Sequence, residues 1–172
     1  MLSHYEARDT MEKLISIRRL SSKLGAARRR GRKVVFTNGC FDIIHAGHVR
    51  YLKKARSLGD ILVVGLNSDS SVKAIKGPER PIVPERERAE VLGALSFVDY
   101  IVLFREPTPI SLIKALRPDV LVKGSDWAAK DIAGADVVRA NGGRIARVRL
   151  VKGRSTTNII RRILEIHKAH GG

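Results

Sequence analysis

Residues 33–55 read KVVFTNGCFDIIHAGHVRYLKKA, and this stretch decides the fold. Its apolar run Val34–Phe36 is short and flanked by polar residues, which is typical of a buried parallel strand. Asn38–Gly39 follows as a turn signal, and apolar residues then recur at helical spacing. The stretch therefore predicts a strand, a turn and a helix that begins near His45 and His48.

The start of this helix carries features suited to an anion. His45 and His48 lie three residues apart, so a helical first turn would place them on one face. That turn also offers free backbone N–H groups and the positive end of the helix dipole, which favour phosphate. Gly39 would let the backbone approach a ligand closely. Either histidine alone could be structural, and a metal site is disfavoured because no third ligand cluster lies nearby.

The composition of the whole chain bounds the class of protein. A length of 172 residues fits one domain with a proper core, and 44% apolar residues exclude a disordered chain. We expect a single domain, residues 1–172, with an N-terminal helical extension over about residues 1–32. No apolar run approaches the roughly 20 residues of a membrane span, and a single cysteine, Cys40, fits a reducing compartment. These features predict a cytoplasmic protein without a membrane partner.

The net charge of +16 is concentrated at the two ends of the chain. Residues 1–33 hold ten Lys and Arg against three Asp and Glu, and residues 144–172 hold eight against one. The middle holds fifteen against thirteen and is nearly balanced. Solvated surface is the usual explanation for such runs, with phosphate attraction second. A nucleic-acid-binding module is the alternative from another class, but no zinc-finger or RNP-like pattern supports it, so we expect no specific nucleic-acid partner.

Strand and helix patterns alternate along the rest of the chain. This alternation predicts a Rossmann-like α/β fold, a doubly wound parallel sheet of five strands with helices on both faces. The other predicted elements are helix 10–27, strand 60–66, a mobile loop over 73–81, helix 84–95, strand 98–104, helix 107–116, strand 120–122, helix 135–140, strand 144–150 and helix 155–167.

Polar residues collect where the predicted strands end. They occupy residues 38–42, 67–69, 123–127 and 153–157, which in a doubly wound sheet share one rim where ligands bind. The chain has neither a G-x-G-x-x-G fingerprint nor a Walker A sequence. Their absence argues against a dinucleotide-dependent dehydrogenase and a P-loop kinase.

Two of these segments resemble known motifs. GCFD at Gly39–Asp42, leading to HAGH at His45–His48, resembles the signature of the nucleotidyltransferase superfamily. GRSTT at Gly153–Thr157 resembles the second motif of that superfamily, seen as G-I-S-T-T in cytidylyltransferases. On its own, Ser155–Thr157 is also a plain helix cap.

Further segments narrow the resemblance. TNGCFD at Thr37–Asp42, the Lys123-Gly124-x-Asp126 element, Ile132–Gly134 and ANGG at Ala140–Gly143 are similar to bacterial D-glycero-β-D-manno-heptose 1-phosphate adenylyltransferases. The likeness covers nearly the whole chain from about Ser16. It implies transfer of AMP from ATP to a sugar 1-phosphate, giving ADP-heptose and pyrophosphate for the lipopolysaccharide inner core.

The sequence departs from this family in three ways. Many relatives carry a fused sugar kinase, for which the chain has no room, so we expect a stand-alone form. Gly124–Trp127 is nearer to the cytidylyltransferase version, and Lys152 stands where an acidic residue is common. A cytidylyltransferase for glycerol 3-phosphate or a similar small phosphate is therefore the alternative, although Ala140–Gly143 favours heptose.

The resemblance also implies the roles of individual residues. ATP would be the co-substrate, Mg²⁺ would be carried by its phosphates without a protein metal site, and the enzyme would be a homodimer. A loop lysine, Lys76 or alternatively Lys73, would close over the pyrophosphate, although either can be a solvated loop lysine. The implied catalytic residues are His45, His48 and Lys76. The implied nucleotide-binding residues are Asn38, Gly39, Cys40, Phe41, His45, Gly47, His48, Lys123, Gly124, Asp126, Arg154, Ser155, Thr156 and Thr157. The implied substrate-binding residues are Asp42, Asn67, Asp69 and Arg80.

Overall fold

Five parallel strands form the sheet of this protein, whose computed structural model describes residues 10–126, 128, 131–149, 151 and 153–170. The strand order β3-β2-β1-β4-β5, with every neighbouring pair parallel, confirms the predicted sheet. From β1 the chain adds β2 and β3 on one side of the sheet, and it then adds β4 and β5 on the other side. The carboxyl ends of β1 and β4 are therefore the topological switch point. The strands are β1 Val34–Gly39, β2 Ile61–Asn67, β3 Tyr100–Phe104, β4 Val120–Gly124 and β5 Arg144–Val148.

Helices cover both faces of the sheet, as predicted. One core contains Leu24 from α1, Leu116 from α5 and Val138 from α6, and the other contains Leu52 from α2 and Leu92 from α4. The fold is therefore a doubly wound sheet with one apolar core on each face. After a 3-10 helix over Thr10–Lys13, the helices are α1 Ile17–Arg29, α2 Ala46–Arg56, α3 Asp69–Lys76, α4 Glu85–Ala94, α5 Ile110–Leu116, α6 Ala135–Ala140 and α7 Thr156–His170.

The central strand is longer than its apolar run predicts. β1 continues through Asn38 and Gly39, which pair with Gly65 and Leu66 of β2. Gly65 makes this possible, because a Cβ there would lie 2.9 Å from Phe36 Cζ and 3.1 Å from Asn38 Cβ. The extension carries Asn38 to the rim of the sheet instead of leaving it in a turn.

The predicted helix over residues 10–27 is interrupted at residues 14–16, between a 3-10 helix over Thr10–Lys13 and α1. Leu14 forms a parallel bridge to Ile101 of β3, and Ile15 N donates to Ile101 O over 2.9 Å. These extended residues pair with the outer strand, so α1 begins only at Ile17. Residues 1–9 of the expected N-terminal extension lie outside the described part of the chain.

The predicted mobile loop over residues 73–81 is also partly wrong, since its first four residues belong to α3. The N-cap of this helix is Ser68, whose Oγ accepts from Ser71 N over 3.3 Å. The helix ends at Gly77, whose φ of 99° suits glycine. Boundaries elsewhere differ by a few residues at most, and Trp127, Leu150 and Lys152 lie outside the described residues.

One residue of the basic run before β1 has a structural contact. Arg28 Nη2 donates to the carbonyls of Leu116 and Arg117, where α5 ends. Such contacts satisfy carbonyls that a helix leaves free at its carboxyl end, so Arg28 is not simply a solvated charge. None of the described helices is long and apolar enough to cross a membrane.

Candidate active site

His45 opens α2 as its N-cap residue. Its backbone is extended, and its Nδ1 accepts a hydrogen bond from Gly47 N over 3.1 Å. Since Nδ1 is the acceptor, the neutral ring carries its proton on Nε2. The cap therefore leaves His45 with one N–H donor that the helix does not use.

The two histidines of the first motif lie against each other. Their ring centroids are 4.0 Å apart at an interplanar angle of 22°, and Phe41 packs edge-on against His48 at 5.2 Å. Among the described residues, neither His45 Nε2 nor His48 Nδ1 has a hydrogen-bond partner, although both atoms are buried. Buried polar atoms of this kind call for a partner from a ligand or water.

Burial keeps both rings uncharged at neutral pH. It lowers the pKa of His48 to about 4, with a further contribution from His45 and an opposing backbone hydrogen bond at Ile43. Burial also lowers the pKa of His45, and the nearby Arg154 cation acts in the same direction. The pair thus meets a ligand as two neutral imidazoles.

The first turn of α7 lies beside this pair. Thr156 Oγ1 donates to Ile43 O over 3.4 Å, and a Cβ on Gly47 would lie 3.3 Å from Arg154 Cβ. Ser155 caps α7 by accepting from Asn158 N over 3.1 Å. The amino ends of α2 and α7 therefore adjoin, which unites the two motifs in one anion-attracting region.

Two of the predicted nucleotide-binding residues connect the carboxyl ends of β1 and β4. Lys123 Nζ donates to Asn38 Oδ1, and Lys123 is 9% exposed. Burial lowers the pKa of Lys123 to about 8, while Asp126 acts in the opposite direction. Gly124 ends β4 beside Lys123, and Asp126 lies in the exposed turn that follows. This cationic group thus sits at the switch point of the sheet.

Gly39 makes room for an aromatic ring. A Cβ on Gly39 would lie 3.0 Å from Phe41 Cε2, and Phe41 itself has a φ of 44°. The ring that contacts His48 is thus folded back over the end of β1. Gly39 permits this turn by the absence of its side chain.

Asp42 and Arg80, both predicted to bind substrate, bind each other. Asp42 is 2% exposed and accepts from Arg80 Nε over 2.5 Å and from the backbone N–H groups of Ile82 and Val83. Burial alone would raise the pKa of Asp42, but those donors lower it below its usual value. Both carboxylate oxygens are therefore engaged inside the protein. Arg80 keeps its Nη groups without a partner among the described residues.

Arg88 is a residue of this region that sequence reasoning missed. It is 0% exposed, and its guanidinium donates to Val83 O, Cys40 O and Asp69 Oδ1. Charged runs such as ERER are usually solvated, but Arg88 shares a helix face with the buried Leu92 four residues later. That spacing was the available signal.

The remaining predicted residues lie around α3. Asn67 is buried and donates to Ser71 Oγ over 2.9 Å, while Asp69 pairs with Arg88. Lys73 and Lys76 are exposed on α3, Lys76 in its last turn. Burial raises the pKa of Cys40, with Lys76 near enough to oppose this shift. The predicted residues thus form two groups, one around the histidines and one around Asp42.

Comparison with curated proteins identifies relatives over most of the chain. The bifunctional protein HldE of Syntrophotalea carbinolica is 58% identical over 146 residues, which are 85% of this chain and 30% of that protein. The bifunctional protein HldE of Geobacter metallireducens is 50% identical over 163 residues, 95% of this chain and 33% of that protein. The chain therefore spans about a third of the length of these relatives.

A solved structure and a family model also match this chain. A lipopolysaccharide core biosynthesis protein from Thermoplasma volcanium GSS1 is 31% identical with a TM-score of 0.58, covering 72% of this chain and 100% of that one. The family described as cytidylyltransferase-like matches residues 36–162. With both motifs inside that match, the chain belongs to the cytidylyltransferase-like family.

Proposed function

We propose that this protein is an adenylyltransferase that transfers AMP from ATP to D-glycero-β-D-manno-heptose 1-phosphate, yielding ADP-heptose and pyrophosphate for the lipopolysaccharide inner core. The observation that carries the proposal is the stacked pair His45–His48, with its unpartnered buried nitrogens beside the first turn of α7. The HldE relatives and the heptose-type elements of the sequence support the choice of acceptor. The proposed domain is a single nucleotidyltransferase unit.

The reaction depends on positioned hydrogen-bond donors rather than on a general base. An oxygen of the sugar phosphate attacks the α-phosphorus of ATP, the bond from that phosphorus to the bridging oxygen breaks, and pyrophosphate leaves with the electron pair. A phosphate dianion has no proton to lose, so no general base is required. Negative charge spreads over the equatorial oxygens of the transition state, where fixed donors act most strongly.

The proposed roles follow from where each donor lies. His45 Nε2–H, His48 and the backbone N–H groups of the first turn of α7 would hold the triphosphate. Arg154 and Lys123 would add positive charge on the nucleotide side, and Lys76 would face pyrophosphate. Among the described residues no group of three or more His, Cys, Asp or Glu is arranged to hold a metal. In our proposal the phosphates of ATP would carry Mg²⁺, which would neutralise part of their charge.

Substrate choice is tested by measuring pyrophosphate release with each of the four nucleoside triphosphates against a panel of sugar and polyol phosphates. We expect ATP with the heptose 1-phosphate to give the highest kcat/KM. Preference for CTP with glycerol 3-phosphate would overturn the proposal in favour of the cytidylyltransferase alternative. Absence of pyrophosphate release with every pair would contradict both.

The low pKa of Lys123 predicts opposite pH trends for activity and stability. Above about 8 the side chain loses its proton, so turnover should fall there if its charge holds phosphate. The folded pKa lies below the unfolded value of about 10.4, so the unfolded state binds more protons between these values and stability should rise with pH. Rate profiles and urea unfolding, on the parent and on Lys123→Met, measure both trends. Turnover that stays flat to about pH 9.5 would remove the Lys123 charge from the mechanism.

Thr157→Val tests the second motif. The Thr157 side chain is exposed, and the substitution removes its hydroxyl but keeps the branched shape. If that hydroxyl binds nucleotide, ATP affinity should weaken by about 1 kcal/mol, as measured by calorimetric titration, while the apo melting temperature changes little.

Thr156→Val is the matched control for this experiment. It removes the hydrogen bond from Thr156 to Ile43 O, so the apo protein should lose stability. A Thr157→Val protein that loses stability and keeps its ATP affinity would instead make Thr157 part of the helix cap.

Three properties of the whole protein stay predictions: a cytoplasmic location, a homodimer, and the absence of a specific nucleic-acid partner. Sedimentation equilibrium tests the dimer. The excess of basic residues at the ends predicts that any duplex binding is weak and vanishes with salt. Tight, sequence-selective binding at physiological salt would favour the nucleic-acid-binding alternative.

A further inference from the structure

Arg88 is a fully buried cation that joins three separate segments. Its Nε donates to Val83 O over 2.9 Å, its Nη1 to Cys40 O, and its Nη2 to Asp69 Oδ1 over 2.8 Å. Burying a charge is costly, and an apolar residue of similar size is often no less stabilising. A planar fork can serve all three acceptors at once, whereas a lysine ammonium cannot match that geometry.

Val83 is held from both sides by the two buried charged residues. Its N–H donates to Asp42 Oδ1 over 2.8 Å, and its carbonyl accepts from Arg88. Ile82 N also donates to Asp42. We call the pair Asp42 and Arg88 the clamp, because together they fasten residues 80–83 to the loop that follows β1.

The clamp determines where Arg80 can point. The Arg80 side chain is 16% exposed, and its Nε is fixed on the buried carboxylate of Asp42. Its two Nη groups remain available for an anion, and a planar guanidinium suits phosphate. Arg80 and Lys76 both lie close enough to Cys40 to lower its pKa against the larger effect of burial. Positive charge is therefore gathered around Cys40, at the start of the loop that follows β1.

We propose that Arg88 is a positioning residue that fixes Arg80 for the phosphate of the acceptor substrate. This inference rests on the proposed function, which assigns the triphosphate to the histidines, the first turn of α7 and Lys76, and leaves the Nη groups of Arg80 for the acceptor. Arg88 has no direct contact with substrate in this scheme. It acts through Val83 and the Asp42–Arg80 ion pair.

The test compares Arg88→Lys with Arg86→Met, a control at an exposed arginine of the same helix. Arg88→Lys should raise the KM for the acceptor roughly tenfold and leave the ATP dissociation constant within about twofold. Hydrogen exchange at the Ile82 and Val83 amides should accelerate, because Arg88 no longer holds the Val83 carbonyl and the segment carrying both amides opens more easily. Arg86→Met should change none of these quantities.

Two outcomes decide against the clamp as a positioning device. Faster exchange with an unchanged acceptor KM would make Arg88 merely structural, and equal losses for acceptor and ATP would indicate general disruption. If Arg88→Lys does not fold, Asp69→Asn weakens one contact alone and should shift acceptor KM in the same direction, by about threefold. If the parent turns over another acceptor phosphate, the proposed function fails and the same comparison is made with that acceptor.

Discussion

Replacing His48 by alanine is expected to lower kcat about 10²-fold or more, the scale of losing one preorganised donor to a transition state. The ring has a buried nitrogen without a protein partner, so it has hydrogen-bonding capacity to give to a ligand. ATP affinity should fall less than kcat, because the oxygens of the pentavalent phosphorus need this donor more than the ground state does. Steady-state kinetics with calorimetric titration of ATP separate the two effects.

The control for this variant is His167→Ala, at an exposed histidine of α7, which should leave kcat unchanged. His48→Asn keeps a side-chain N–H donor and should recover part of the rate. A folded His48→Ala protein with near-normal kcat would remove His48 from the mechanism. Melting curves establish whether the variant is folded, since the lost ring also packs against Phe41 and His45.

The protonation state of His48 adds a separate expectation. Its pKa of about 4 lies below the usual value, so His48 in the folded protein without ligand should become protonated at a lower pH than in the unfolded chain. Stability from this group is then present above the unfolded value of about 6.5 and is lost as pH falls toward 4. Urea unfolding of the parent and of His48→Ala between these values measures the difference.

Local patterns were enough to predict the sheet and the two motifs. Short apolar runs such as Val34–Phe36 and Val120–Val122 are hard to mistake for surface, because parallel strands are covered on both faces. Helix starts are harder to locate from local patterns. The lysines and prolines over residues 73–81 predict a mobile loop, but α3 includes Lys73 and Lys76, and its N-cap Ser68 is a helix-capping residue type.

The residues that escaped prediction depend on contacts between distant segments. Leu14 leaves the helical pattern because it pairs with Ile101 in β3, and no local signal marks that partner. Arg88 is buried because three acceptors from different segments converge on it. Asp42 stays a predicted substrate-binding residue, but no local pattern indicates its backbone partners, which lie about forty residues later in the chain. Spacing alone indicated which residue types gather at the rim, and the tertiary contacts determine which of them are left for a ligand.

Gly47→Ala is expected to lower kcat by about 10²-fold, because small displacements of reacting groups cost that much. A Cβ at residue 47 would lie 2.8 Å from His45 Cε1 and 2.9 Å from His45 Nδ1, which is closer than real Cβ contacts allow. Arg154 Cβ at 3.3 Å restricts movement on its side. The ring of His45 must therefore shift, which breaks its cap on Gly47 N and its stacking on His48.

A second glycine in a helix separates this steric effect from helix propensity. Gly25 lies within α1, where a Cβ would meet only Arg29 Nη1 at 3.8 Å. Gly25→Ala should stabilise the protein by about 0.5–1 kcal/mol, the usual gain of alanine over glycine in a helix, without changing kcat. Gly47→Ala should show less of that gain, because the new methyl displaces His45, and it should lose activity. Kinetics and urea unfolding on both variants test the contrast. A Gly47→Ala protein as active as the parent would show that turnover does not depend on the present position of the His45 ring.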